Sequence, residues 1–160
     1  RVLMRPNRKI DDLPGKQLYG SPDVVVLIDT SGSISESELR QFVGEVRGMT
    51  PASKRIVVIP FDATAYPEVV IKNKNDIPKL VVNLKGGGGT MIGPALAVVE
   101  KKYKKADKVV ILSDWDIADL NNPVVDRTLR KLADKIIAVT THSEPPGYLK
   151  KRVRIGSMSE

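Results

Sequence analysis

The chain has 160 residues, of which 41% are hydrophobic and 28% charged, with a formal net charge of +7 and no cysteine. That size suits one domain able to bury a sheet with helices on both faces, and the missing thiols exclude disulfides, thiolate metal ligands and cysteine nucleophiles. No apolar run approaches the roughly 18 residues that a membrane-spanning helix needs, so a membrane role is not expected, and the absence of cysteine makes a cytoplasmic home the simpler expectation.

The first residues lack the apolar stretch of a signal peptide, and the chain opens on Arg1 rather than Met, which reads as a piece cut from a longer protein. Residues 1–22 carry Pro6, Pro14, Gly15, Gly20 and Pro22 without a sustained period, which predicts an extended lead-in to a single domain over 23–160. The run over 23–29 is apolar without alternation, as in a central parallel strand covered on both faces. It ends in Asp29-Thr30-Ser31-Gly32-Ser33, one carboxylate with several hydroxyls where a buried strand must emerge into a loop. Ser35 and Glu38 have capping-box spacing, and Leu39, Phe42, Val43 and Val46 then form one apolar helical stripe, ended by Gly48 and Pro51.

A strand over 56–61 and another over 68–71 are separated by a segment too short for a parallel crossover, which predicts an antiparallel hairpin. Asp76 is placed to cap a short helix through Leu84 that buries Ile77, Leu80 and Val81. The run Gly86-Gly87-Gly88-Gly89 lacks the Gly-Lys-Ser/Thr ending of a phosphate-binding loop, and reads as the loop that places Thr90. Pro94 opens the next helix, whose apolar stripe is Ile92, Leu96, Val99 and Tyr103. The buried strand over 109–112 ends on Ser113 and Asp114, as the first ends on Asp29. Asn122 and Pro123 begin a helix with Val125, Leu129 and Leu132 inward; a strand over 136–140 and an edge strand over 153–155 follow.

Strands alternating with helices predict an α/β fold, a doubly wound and mostly parallel sheet with one antiparallel edge strand. Ligands of such sheets sit beyond the carboxyl ends of the strands where the strand order reverses. That rule brings Asp29, Ser31, Ser33, Thr90 and Asp114 to one place from most of the chain's length.

These residues resemble the von Willebrand factor A (VWA) domain with its metal-ion-dependent adhesion site (MIDAS). The three-part signature of that family reads here as Asp29-Thr30-Ser31-Gly32-Ser33, Thr90 and Ser113-Asp114. With Arg5-Pro6-Asn7-Arg8, Leu13-Pro14-Gly15 and the glycine run, the chain looks most like the VWA-like C-terminal domain of prokaryotic proteins described as metallopeptidases. The resemblance implies a Rossmann-like VWA fold and Mg²⁺, with Mn²⁺ or Ca²⁺ as alternatives, held by Asp29, Ser31, Ser33, Thr90 and Asp114. Three neutral hydroxyls and at most two carboxylates leave such an ion no better than neutralised, so a Glu or Asp of a partner protein is expected to complete the coordination; the resemblance adds a MoxR-type AAA+ ATPase as one candidate partner. A zincin-like region usually precedes this part in the family, but no His-Glu-x-x-His motif occurs here, so no peptidase activity falls to this chain.

Two other readings compete with the non-catalytic one. A metal-dependent hydrolase would need a base, for which His142 is the one histidine. A nucleic-acid binder would use Lys101, Lys102, Lys104, Lys105 and Lys108 with Lys150, Lys151, Arg152 and Arg154, but these lack interleaved aromatics and read as solvated faces. Asp62, Asp116 and Asp119 read as solvated loop carboxylates near the mouth, and Trp115, where many relatives place Gly, as a residue narrowing that mouth or offering a contact surface.

Overall fold

The computed structural model describes residues 24–50, 55–83 and 88–155. The lead-in over 1–22, the ends expected at Pro51 and Leu84, and Gly86 and Gly87 lie outside the described residues, as does the side chain of Val81. In chain order the elements are β1 (Val24–Asp29), α1 (Glu36–Met49), β2 (Ile56–Phe61), β3 (Val69–Ile71), α2 (Ile77–Asn83), α3 (Gly93–Lys102), β4 (Lys108–Ser113), α4 (Pro123–Leu132), β5 (Ile136–Thr140) and β6 (Arg152–Arg154). The six strands form one sheet in the order β3-β2-β1-β4-β5-β6, parallel except for β3 against β2. This is the doubly wound α/β sheet expected, with its order reversing between β1 and β4.

β1 is buried at all six residues because it has strands on both edges and helices on both faces. Its alternate residues serve two cores. Val25 and Leu27 pack with Leu96, Val99, Leu129 and Leu132 of α3 and α4, whereas Val24, Val26 and Ile28 pack with Phe42 and Val46 of α1 and Leu80 of α2. The period-2 geometry of a strand makes both layers from one unbroken apolar run.

The capping box of α1 forms in full: the Ser35 hydroxyl accepts from the Glu38 N–H at 3.1 Å, and the Glu38 carboxylate accepts from the Ser35 N–H at 2.9 Å. Gly48 does not end this helix, which continues through Met49 and closes where the Thr50 N–H donates to the Arg47 carbonyl. α4 begins as expected, with Asn122 accepting from the N–H groups of Val124 and Val125 and Pro123 in the first turn.

Asp76 is a correction. Its carboxylate accepts from the N–H groups of Lys72 and Asn73, behind it in sequence, so it closes the turn after β3 and does not cap α2. A 3-10 turn over Lys74–Asp76 leads into α2 instead. The last strand also differs by one residue from the reading over 153–155, pairing parallel to β5 through Arg152, Val153 and Arg154.

Phe42 is fully buried among the residues of the α1-side core. Its truncation to Ala leaves a cavity that the sheet cannot close, and urea denaturation is expected to show a loss of about 3–5 kcal/mol.

Candidate metal centre

Parallel pairing of β1 with β4, Ile28 opposite Leu112, sets the ends of the two strands side by side. The Ser113 hydroxyl donates to Asp29 Oδ2 at 2.6 Å, and the Ser31 N–H donates to Asp29 Oδ1 at 2.9 Å. Asp29 is wholly buried. Burial pushes its carboxyl above the ordinary range, the bonds from Ser113 and Ser31 work against that, and the nearby Asp114 adds to the upward shift.

The chain leaves β1 with the Thr30 hydroxyl and N–H both donating to the Phe61 carbonyl, at 3.1 and 2.8 Å, which ties the loop to the end of β2. Ser31 and Ser33 then bring their hydroxyl oxygens to 3.1 Å from one another, Ser31 buried and Ser33 exposed. Thr90 arrives through the backbone around it. The Gly88 carbonyl accepts from the Gly32 N–H at 3.0 Å, the Met91 N–H donates to the Asp62 carbonyl at 2.8 Å, and the Thr90 carbonyl accepts from the Ala118 N–H at 2.9 Å. Residues 88–91 are thus held between the loops that follow β1, β2 and β4.

Asp114 is nearly buried, with Oδ1 accepting from the Asp116 N–H at 3.0 Å. Among the described residues, no hydrogen bond links the Thr90 or Asp114 side chain to Asp29, Ser31 or Ser33. Direct contacts therefore join Asp29, Ser31, Ser33 and Ser113, while Thr90 and Asp114 reach the same edge through their loops.

Two carboxylates read from sequence as solvated have structural tasks. Asp62 is buried and accepts from the Tyr66 hydroxyl at 2.8 Å, the Thr64 N–H at 3.1 Å and the Gly88 N–H at 3.3 Å. Burial would raise its carboxyl, but these donors outweigh it and hold it below the ordinary range. A Cβ on Gly88 would stand 3.1 Å from Asp62 Oδ2, so glycine permits this close approach. Asp119 accepts from the N–H groups of Ile92 and Gly93, both at 2.9 Å, capping α3 from a distant loop where Ile92 has no capping side chain. Asp116 is exposed, as read.

Trp115 is a further correction. It is 2% exposed and belongs to the α3- and α4-side core, so it offers no contact surface. Its φ is 62°, in the left-handed region that favours glycine. Two bonds hold it there: its N–H donates to the Ser113 oxygen at 2.9 Å and its indole N–H to the Val139 carbonyl at 3.0 Å. Because Ser113 accepts from Trp115, its single proton is directed to Asp29.

In the first turn of α1, facing the loop after β5, Glu38 is 7% exposed. It takes a bond from the Thr141 hydroxyl at 2.6 Å and lies 3.2 Å from His142 Nδ1. The sequence offered Glu38 only as a capping residue; its bond across 103 positions to Thr141 has no local signature.

A model of the VWA-like domain (DUF2201) family matches residues 24–140. The chain belongs to this VWA-like family. An uncharacterised protein of Thermotoga maritima is 31% identical over 108 residues, which cover 67% of this chain and 26% of that protein. This VWA-like chain therefore spans about a quarter of the relative's length. Among solved structures, proximal thread matrix protein 1 of the mussel byssus, with a zinc-occupied MIDAS motif, matches at a TM-score of 0.66 and 19% identity over 87% of this chain and 44% of that one. A von Willebrand factor type A protein of Catenulispora acidiphila matches at 0.60 and 16% identity, over 87% and 39%. The SpRpn10 VWA domain matches at 0.59 and 10%, over 86% and 89%. These likenesses establish the VWA fold. No helix among the described residues is long and apolar enough to cross a membrane.

Trp115→Ala is expected to lose about 3–5 kcal/mol in urea denaturation through lost burial. Trp115→Gly is expected to lose about 1 kcal/mol less than Ala, the reverse of the usual order, because glycine accepts the positive φ without strain. For Glu38, burial pushes the carboxyl up, but the Ser35 N–H and Thr141 hydroxyl prevail and lower it. Its contribution to stability is therefore present above the unfolded pKa of about 4.3 and lost as pH falls through the depressed folded value. Glu38→Gln is expected to flatten the stability profile in that acid window, read by urea denaturation at a series of pH values.

Proposed function

We propose that this VWA-like domain is a non-catalytic, divalent-metal-dependent protein-interaction module of the MIDAS type. Asp29, Ser31, Ser33, Thr90 and Asp114 would hold the ion. The observation that carries the reading is the pair of hydroxyl oxygens of Ser31 and Ser33, 3.1 Å apart beside the buried Asp29 carboxylate. Neighbouring ligand oxygens of an octahedral Mg²⁺ at about 2.0–2.1 Å are about 2.9 Å apart, so this spacing suits two adjacent positions of such an ion. The donor set of hydroxyls and carboxylates also suits a hard cation, with Mg²⁺ preferred and Mn²⁺ or Ca²⁺ as substitutes.

The roles of the two acids differ. Both Asp29 oxygens already accept bonds from the protein, which favours contact with the ion through water. Asp114 has a bond to one oxygen, at Oδ1, leaving the other available. Bound there, the ion would supply a cationic centre with a coordination position open to a Glu or Asp carboxylate of a partner protein. Ser33 is exposed at the rim, and Met91, directly after Thr90, is 42% exposed and would give that partner an apolar contact beside the charge. A zinc-occupied MIDAS in the similar mussel protein adds support for a divalent ion on this fold. The family resemblance suggests a MoxR-type AAA+ ATPase as the partner and a peptidase-like region elsewhere in the longer protein.

The hydrolase reading lacks a placed base. His142 lies in the loop after β5, its Nδ1 near the Thr141 hydroxyl at 3.1 Å and the Glu38 carboxylate at 3.2 Å, and Ser113 directs its proton to Asp29. Ser31 and Ser33 contact each other rather than an imidazole.

Mg²⁺ or Mn²⁺ is expected to raise the melting temperature of the parent and to leave Asp29→Ala unchanged. Isothermal titration with Mn²⁺ checks the same loss directly. Partner capture in Mg²⁺ should disappear in EDTA and in Asp29→Ala; capture that survives both would sink the proposal.

A further inference from the structure

The opposite end of the sheet has a different chemistry. Parallel pairing puts the amino ends of β1, β2, β4, β5 and β6, and the carboxyl end of antiparallel β3, on one edge. Lys72 follows β3, Lys104 and Lys105 form the turn after α3, Lys108 opens β4, and Lys150 precedes β6. All five are exposed. None makes an ion pair through its ammonium group with a described residue, unlike Lys102 with Glu68 or Lys131 with Glu100. Lysines in the last turn of a helix answer its dipole, which accounts for Lys101 and Lys102 but not for Lys72, Lys108 or Lys150.

Crossing six strands means five steps of about 4.8 Å, so the row is roughly 24 Å long. By strand spacing Lys72 at β3 stands about 14 Å from Lys108 at β4, and Lys108 about 10 Å from Lys150 at β6, so each can pair with a separate carboxylate of one extended chain. An apolar groove adjoins the row at Lys108, lined also by Met49, Ile137, Val139 and the 48%-exposed Val153, with Glu45 on its wall.

We propose that this amino edge is a second docking surface, independent of the metal centre, for an acidic polypeptide segment that carries an apolar anchor residue. Carboxylates of the segment pair with the exposed lysines of the row, and the anchor seats against Met49 and Val153. A nucleic acid fits less well. The row presents ammonium groups rather than free guanidinium forks that pair with phosphate: Arg55 is only half exposed, and Arg152, which opens β6, is engaged with Glu144 and the Leu149 and Pro146 carbonyls. Tyr103, the aromatic within the lysine segment, is buried and provides no stacking face. Asp107 and Asp134 interrupt the edge, which a continuous phosphate backbone would meet as repulsion but spaced carboxylates can avoid.

The test is fluorescence anisotropy on the 160-residue chain with a labelled Glu/Ser-rich peptide containing one central leucine, at about 0.15 M ionic strength. The parent is expected to bind it equally well in Mg²⁺ and in EDTA. Lys105→Gln with Lys108→Gln should weaken binding about tenfold, and replacing the peptide's leucine by serine should weaken it several-fold. Arg40→Gln with Arg127→Gln, which removes the same net charge from exposed positions elsewhere, should change it less than about twofold. Circular dichroism confirms that each variant is folded. Equal losses in the two pairs, equal binding of the leucine and serine peptides, or no binding by the parent would each overturn the proposal. So would tighter binding of duplex DNA than of the peptide, or loss of peptide binding in EDTA.

Discussion

The hydrogen bond from Ser113 to the buried carboxylate of Asp29 depends on the parallel register of β1 and β4, and the geometry of the carboxyl edge depends on it in turn. A wholly buried carboxylate without donors would carry a large desolvation penalty. Here the Ser31 N–H and the Ser113 hydroxyl satisfy it, and Trp115 fixes which way that hydroxyl points. The positive φ at Trp115 belongs to the same arrangement, since it turns the backbone N–H toward Ser113 while the indole anchors on β5. Strain at one residue is held in place by burial of the largest side chain in the sequence.

Around this bond, carboxylates do the work of joining loops. Asp62 binds the Gly88 backbone, Asp119 the first turn of α3, and Glu38 the loop after β5. Each accepts from donors that secondary structure leaves unsatisfied, so the loops after β1, β2, β4 and β5 are mutually braced. Such bracing fixes hydroxyls such as those of Ser31 and Ser33 before any ligand arrives, which reduces what binding must order.

The same strand direction polarises the domain electrically. Helix N-termini face the carboxyl edge and bear Glu36 and Glu38, while their C-termini bear Arg47, Lys101, Lys102, Arg130 and Lys131. Acidic residues accordingly gather where a cation is proposed, and lysines at the other end. The net charge of +7 conceals this division.

The sequence by itself determined the elements, and it nominated the residues proposed as metal ligands. Unbroken apolar runs, the capping box at Ser35, the hairpin forced by a short connection and the stripe from Ile92 to Tyr103 are local patterns, and each appears in the structure. The switch point between β1 and β4 also followed, because parallel crossovers leave few topologies. Only the tertiary structure decided the partners of single side chains. Asp76 turned backward to the β3 turn, Asp62 and Asp119 became braces, and Trp115 entered the core. Those outcomes depend on which backbone N–H groups lie unsatisfied nearby after folding, across separations of 26 or 27 positions for Asp62 and Asp119. Periodicity and spacing along the chain carry no record of such distant donors, whereas they do record which face of a helix or strand must leave water.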